Sequence, residues 1–115
     1  MPSVRAEAVA EVLWELKRLE KLATWTGVAK RAGFKAGVGG KNLLNCLETV
    51  KRDWPHLQWW RIVPDHGQIA TNSEQVHHLR SAGYLFEPLP DRPEMLRLVD
   101  HESHLCVWEE AAAIL

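Results

Sequence analysis

Glycine and proline punctuate the middle of this chain so tightly that only short elements fit between them. Gly33, Gly37, Gly39 and Gly40 fall within eight residues, and Trp54-Pro55, Pro64-Asp65-His66-Gly67 and Gly83 follow. Each interval carries its own pattern. Residues 3–20 predict a first helix, with Ser3 as its cap and Val4, Ala8, Val12, Leu16 and Leu19 as its apolar stripe. Lys17, Arg18 and Lys21 crowd its end, where cations suit the helix dipole. After the extended link Leu22-Ala23-Thr24, either Thr24 or Thr26 can cap a second helix that Gly33 stops. Glycines 37–40 make a flexible turn. A third helix runs from about Lys41 to Arg52, with Leu43, Leu44, Leu47 and Val50 inward, and Pro55 ends it.

Beyond Pro55, Gln58 to Val63 reads as a strand. Pro64-Asp65-His66-Gly67 has turn chemistry, and Gln68-Ile69-Ala70 is expected to return as the partner strand of a hairpin. Asn72 and Gln75 have capping-box spacing for a fourth helix that Gly83 closes, with Tyr84-Leu85-Phe86 packing after it. Pro88, Pro90 and Pro93 mark an irregular connector, and residues 94–115 are expected to form one or two short helices with Leu96, Val99, Leu105 and Val107 available for docking. The fold class predicted is mainly α with a small β-hairpin, a winged helix-turn-helix. In such a module the third helix is offered to a DNA groove and the hairpin is the wing.

Chain length allows one core and not two. The expected organisation is a winged-helix domain over residues 1–87 and an acidic extension, 88–115, packed on the same domain. Net charge is only −1, but its distribution is uneven. Residues 1–61 hold eleven Lys/Arg against six Asp/Glu, and residues 62–115 hold three against nine. A basic first half can meet phosphates while an acidic tail faces away. No run of apolar residues is long enough for a membrane helix and no secretory leader is apparent, so a cytoplasmic, nucleoid-associated protein is expected. Cys46 and Cys106 make neither a disulfide framework nor a CxxC pair, and reduced thiols are expected.

Four blocks in order carry a resemblance: Ala23-Thr24-Trp25-Thr26-Gly27-Val28-Ala29-Lys30-Arg31-Ala32-Gly33; the glycine turn with Lys41-Asn42-Leu43-Leu44-Asn45; Gln58-Trp59-Trp60-Arg61-Ile62-Val63-Pro64-Asp65-His66-Gly67-Gln68-Ile69; and Gln75, Leu79, Gly83 and Tyr84. Together, residues 22–86 resemble the DNA-binding domain of O6-alkylguanine-DNA alkyltransferases and of the alkyltransferase-like proteins. The family's active-site strand carries Pro, Cys and His-Arg-Val. By this resemblance Trp59 stands where transferases keep the nucleophilic cysteine, and Trp60 stands where the family has histidine. A thiolate accepts the alkyl group, so tryptophan there cannot do the reaction. Alkyltransferase-like proteins also carry tryptophan at that place and bind lesions without repairing them.

The resemblance therefore implies a non-enzymatic binder of double-stranded, alkylated DNA. It would lay its third helix in the minor groove, turn out a nucleotide, and flag the lesion for nucleotide excision repair proteins. Implied lesion contacts are Trp25, Lys41, Asn42, Asn45, Trp59, Trp60 and Arg61, with Lys30, Arg31, Lys35, Lys51 and Arg52 on phosphates. Lys41 lies closest to the family's inserted arginine. It is a point charge without the flat guanidinium, and is expected on phosphate. Arg61 matches a family arginine with a structural role. Trp25 matches a tyrosine near the phosphate of the turned-out nucleotide, and also fits a plain core aromatic, while Trp59 and Trp60 are expected to line the pocket that stacks on an extruded alkylated base.

Two other readings stand beside this one. A winged-helix module for transcription control or protein contact would have the same fold, with the pocket filled by its own tryptophans. On a strand, Trp59 and Trp60 would point to opposite faces, placing one in the core. A metal-dependent enzyme would have to use His77-His78 or His101/His104, and neither has an acidic or cysteine partner at a recognisable spacing. No cofactor, no metal site and no membrane partner are expected, and a monomer is. Cys46, among apolar residues of the third helix, reads as a buried structural thiol and not as a substitute nucleophile.

Overall fold

The computed structural model describes residues 4–106. Helix α1 spans Val4–Leu19, and strand β1, Ala23–Thr24, leads into α2, Trp25–Ala32. After a link with a 3-10 turn at Val38–Gly40 comes α3, Lys41–Asp53. Short 3-10 turns at Pro55–Leu57 and Trp59–Arg61 precede β2, Ile62–Val63, then β3, Gln68–Ala70, and α4, Glu74–Ser81. Strands β4, Phe86–Pro88, and β5, Met95–Leu98, and a last 3-10 turn at His101–His104 complete the order. The molecule is mainly helical with two small sheets. The cap expected from Ser3 and the docking residue Val107 lie outside the described residues.

The punctuation acts as its chemistry requires. Thr24 caps α2, its hydroxyl accepting from the Gly27 N–H at 3.0 Å, and Gly33 ends it in the left-handed region with its N–H on the carbonyls of Ala29 and Lys30. Pro55 follows the last residue of α3 by two positions. In α4 the cap is Ser73 and not Asn72. The Ser73 hydroxyl accepts from the Val76 N–H at 3.2 Å, and Gln75 is engaged elsewhere, so the expected capping box does not form. Leu85, expected to pack, is exposed.

Two apolar clusters share the interior. The first joins α1, α2 and α3 through Ala6, Val9, Leu13, Leu16, Val28, Leu43, Leu47 and Val50. Of the expected stripe of α1, Val12 and Leu16 are buried and Leu19 is exposed, while Ala6, Val9, Ala10 and Leu13 join the buried face. Packing against two helices selects the positions three and four apart that face both. In α3, Cys46 turns inward and Leu44 outward. The second cluster joins Leu22, Trp60, Val63, Ile69, Val76, Leu79, Leu96 and Leu98. Strands β1 and β2 divide the two. They pair in parallel, Ala23 with Ile62 and Thr24 with Val63. Because neighbours on a strand point to opposite faces, Ile62 enters the first cluster and Val63 the second. Full burial of one such side chain contributes roughly 1.5–3 kcal/mol.

The expected hairpin is not formed. Trp59–Arg61 is a 3-10 turn, and Ile62–Val63 pairs with β1. Strand β3 pairs with β5, and β4 also pairs with β5, both antiparallel, in the order β3-β5-β4. Arg61 supplies the physical reason. Its side chain is buried, so its guanidinium has to find acceptors inside. Bending the chain at Gln58, which has φ 58°, brings the Gln58 side-chain oxygen to 2.7 Å from Arg61 Nε. Met95–Leu98, expected in a helix, alternates Leu96 in, Arg97 out and Leu98 in, which is the period of a strand.

Candidate nucleic-acid interface

The link between α2 and α3 is expected to be flexible, yet it is tied down. Its Lys35 carbonyl accepts from the Asn42 side chain at 3.1 Å, and its Ala36 carbonyl accepts from the Asn42 N–H at 2.8 Å. The Gly40 N–H donates to Gly37 O at 3.0 Å. Gly40 has φ 74°, and a Cβ there would lie 2.6 Å from Trp25 Cε3. The indole of Trp25 thus rests directly on backbone, and only glycine allows it. At the tip of the link Val38 is 97% exposed.

The turn after β2 closes the other side. Asp65 accepts from the Thr26 N–H at 3.0 Å and from the Thr26 hydroxyl. Thr24 and Asp65 therefore satisfy two of the free N–H groups in the first turn of α2. His66 meets the Trp25 ring edge-on, with centroids 6.4 Å apart. Trp25, Thr26, Ala36, Gly37, Gly39, Gly40, Asp65 and His66 enclose a cavity of about 260 Å³ beside the N-terminus of α3. Asp65 and His66 read as turn residues in the sequence. Only the meeting of two loops assigns them here.

The outward side of α3 carries Lys41, Asn42, Leu44, Asn45, Glu48 and Arg52. Lys30 and Lys35 are exposed nearby in the chain, before the turn. Arg31 lies 3.7 Å from Glu15 of α1. Lys51 approaches Glu48 at 4.0 Å, and Arg52 pairs with Asp53 at 3.0 Å. Exposed pairs of this kind are worth about 0–1 kcal/mol, so a phosphate can compete for these cations.

Trp59, Trp60 and Arg61 sit in a different setting. Lys51 Nζ stands 4.3 Å above the Trp59 ring, and His78 meets that ring edge-on at 5.9 Å. Trp60 is buried, with His78 stacked on it at 6.0 Å and 6°, and Arg61 Cζ at 4.8 Å. The two indoles do not split across a strand as expected; they share His78. Arg61 donates to Gln58 Oε1, to Lys21 O at 3.3 Å and to Tyr84 Oη at 3.4 Å. Gln75 Nε2 donates to the carbonyls of Trp60 and Ile62 at 3.0 and 2.7 Å. Lys51 is ten residues along α3 from Lys41, about 15 Å at helical rise, so the Trp59 surface lies well along the helix from the Trp25 cavity. Nothing in the sequence signals the part His78 plays, since a histidine beside His77 suggests only a solvated surface.

Burial raises the thiol of Cys46 above its ordinary value against a small opposing effect of Arg5, and burial together with Glu15 raises that of Cys106. Raised thiols hold little thiolate. His101 packs under Gly67, where a Cβ would lie 2.8 Å from its ring, and its Nε2 is buried without a hydrogen-bond partner among the described residues. Burial pushes its imidazole below the usual range. Among the described residues no group of three or more His, Cys, Asp or Glu is placed to hold a metal ion.

No protein-family model matches this sequence, and no curated protein matches it. The fold does have a counterpart. The crystal structure of S. pombe Atl1 in complex with damaged DNA containing O6-carboxymethylguanine matches it with a TM-score of 0.72. The match covers 94% of this chain and all of that one, at 14% identity. The chain thus has the alkyltransferase-like fold, the same one that its residues 22–86 resemble.

Proposed function

We propose that this chain is a non-enzymatic reader of alkylated DNA. The observation that carries the reading is the Trp25 cavity at the head of α3, on a fold shared end to end with a protein crystallised on damaged DNA. Helix α3 lies in the minor groove through Lys41, Asn42 and Asn45. Lys30, Lys35 and Lys41 meet phosphates, with Arg31, Lys51 and Arg52 exchanging their carboxylates for them. Such contacts fix position and give salt-dependent affinity. An extruded alkylguanine stacks on Trp25, the indole that borders open space. Trp59 is a second aromatic surface farther along α3, held in place by Trp60, Arg61 and His78. No thiol lines the cavity, so nothing accepts the alkyl group and no covalent step ends the complex. That persistence lets excision repair proteins find the site.

A second reading is favoured by one observation. Trp59 and Trp60 are already partnered by Lys51, His78 and Arg61, as in a winged-helix module whose tryptophans serve its own core. Fluorescence anisotropy with duplexes that differ by a single O6-alkylguanine, at low and high salt, separates the two. A reader of lesions binds the modified duplex about tenfold tighter or more, a difference of about 1.4 kcal/mol, and both affinities fall with salt. Equal affinity for the two duplexes would establish the second reading.

A further inference from the structure

Behind α3, on the side of its buried leucines, α1 presents a surface that the DNA reading does not use. Glu7, Glu11 and Trp14 are spaced four and three apart, so they share one flank of α1. That flank and the turn after α3, with Trp54, His56 and Leu57, enclose a groove of about 420 Å³, within the range of sites that hold a few side chains. Trp14 is 58% exposed, although an indole is among the costliest groups to leave in water. Large exposed aromatics beside an apolar floor mark places where partners bind. Its face is already suited to a cation, since Arg18 Cζ lies 5.2 Å from its centroid.

The charge decides the class of occupant. The groove is polarised along α1: the carboxylates of Glu7 and Glu11 line one end, while at the other Arg18 covers Trp14 and Lys17 Nζ donates to the His56 carbonyl at 3.2 Å. A cationic side chain is drawn to the Glu7 and Glu11 end. We propose that this groove docks a segment of a partner protein in which Arg or Lys stands beside a large apolar side chain. The apolar residue rests on Trp14, Trp54 and Leu57, and the cation meets Glu7 and Glu11. The site stands apart from the head of α3, so DNA and partner can be held together. This inference does not depend on which kind of DNA is bound.

The test pans a random library of peptides of about 12 residues against the full chain, then measures the enriched peptides by fluorescence polarisation. Peptides with Arg or Lys beside Leu, Phe or Trp are expected. Their affinity falls about tenfold or more in Trp14→Ala, a truncation typical of an interface anchor, and about threefold in Glu7→Gln/Glu11→Gln. Circular dichroism of both variants and their affinity for duplex DNA stay as in the unmodified chain. Enrichment of acidic peptides, no enrichment, or binding unchanged in Trp14→Ala would each overturn the proposal. So would dimerisation that Trp14→Ala abolishes, which makes a second copy the occupant. Loss of DNA binding with peptide binding intact tells against the reader of lesions alone.

Discussion

Trp25 and Trp60 are the same side chain used in two ways. Trp25 lies on the backbone of Gly40 with open space beside it, and its other neighbours are a loop aspartate and histidine from a distant turn. Trp60 is enclosed by His78 on one side and Arg61 on another, and its carbonyl is taken by Gln75. One region is a surface kept open by glycines. The other is a packed polar and aromatic knot in which most groups already have partners. An open aromatic can gain from a ligand; an enclosed one has little left to offer. In the proposed function, ligand contact therefore falls to the head of α3 and structural support to the 58–61 turn.

Disturbing the glycine on which Trp25 rests should have the largest effect. Gly40→Ala puts a methyl against Trp25 at a left-handed position, and about 2–4 kcal/mol of stability is expected to go, read by thermal or urea unfolding. An unchanged Tm would mean that the indole is free to move and that the cavity has no fixed shape. In the knot, Arg61→Met removes a buried donor and leaves Gln58 and two carbonyl or hydroxyl acceptors short of partners. A loss of about 1–3 kcal/mol is expected, with the DNA affinity of the folded variant within twofold. A large loss of DNA affinity at unchanged stability would move Arg61 from support to contact.

Trp25→Ala should weaken binding to alkylated duplex by about 1–3 kcal/mol, and binding to plain duplex much less. An equal loss on both duplexes would remove the stacking role. Lys41→Ala should cost affinity for both duplexes about equally and lower the salt slope by about 1. A change confined to the lesion would show that Lys41 reaches the damaged base itself.

The smallest effect concerns pH. His101 is half-buried beneath Gly67, and that burial holds its folded value below its ordinary 6.5. The unfolded chain therefore binds a proton more readily. Stability from this group is complete above about pH 6.5 and declines as pH falls toward the folded value. Because the group is only partly buried, a Tm decrease of a few degrees between about pH 7.5 and 5.5 is expected, reduced in His101→Gln. A Tm that rises on acidification would show that the turn carrying Asp65 and His66 prefers the charged ring.

Much of the candidate site is legible in local terms. Thr24 at a cap, Gly33 after a helix and Pro55 after another set element ends because each acts on its own or adjacent backbone groups. The order of blocks from Ala23 to Tyr84 points to the fold that the S. pombe counterpart displays. The sheet is not legible. Pairing β3 with β5 depends on residues more than 20 positions apart, and the tight Pro64–Gly67 turn gives a nearer partner false priority. Part of the face of α1 escapes the sequence for a related reason: several apolar stripes fit residues 4–19, all sharing Val12 or Leu16, and contact with two other helices chooses among them.

The sequence by itself determined the limits of α2 and the end of α3, that no nucleophile stands at position 59, and that the first half is basic. These follow from residue chemistry within a few positions along the chain. Only the tertiary structure decided that Trp25 would stand open and Trp60 closed. It also decided that Asp65 would hold Thr26, and that Arg61 would turn inward. Those outcomes depend on which distant side chains arrive as neighbours, and a buried charge or an exposed ring is settled only when the groups that satisfy or shield it are in place.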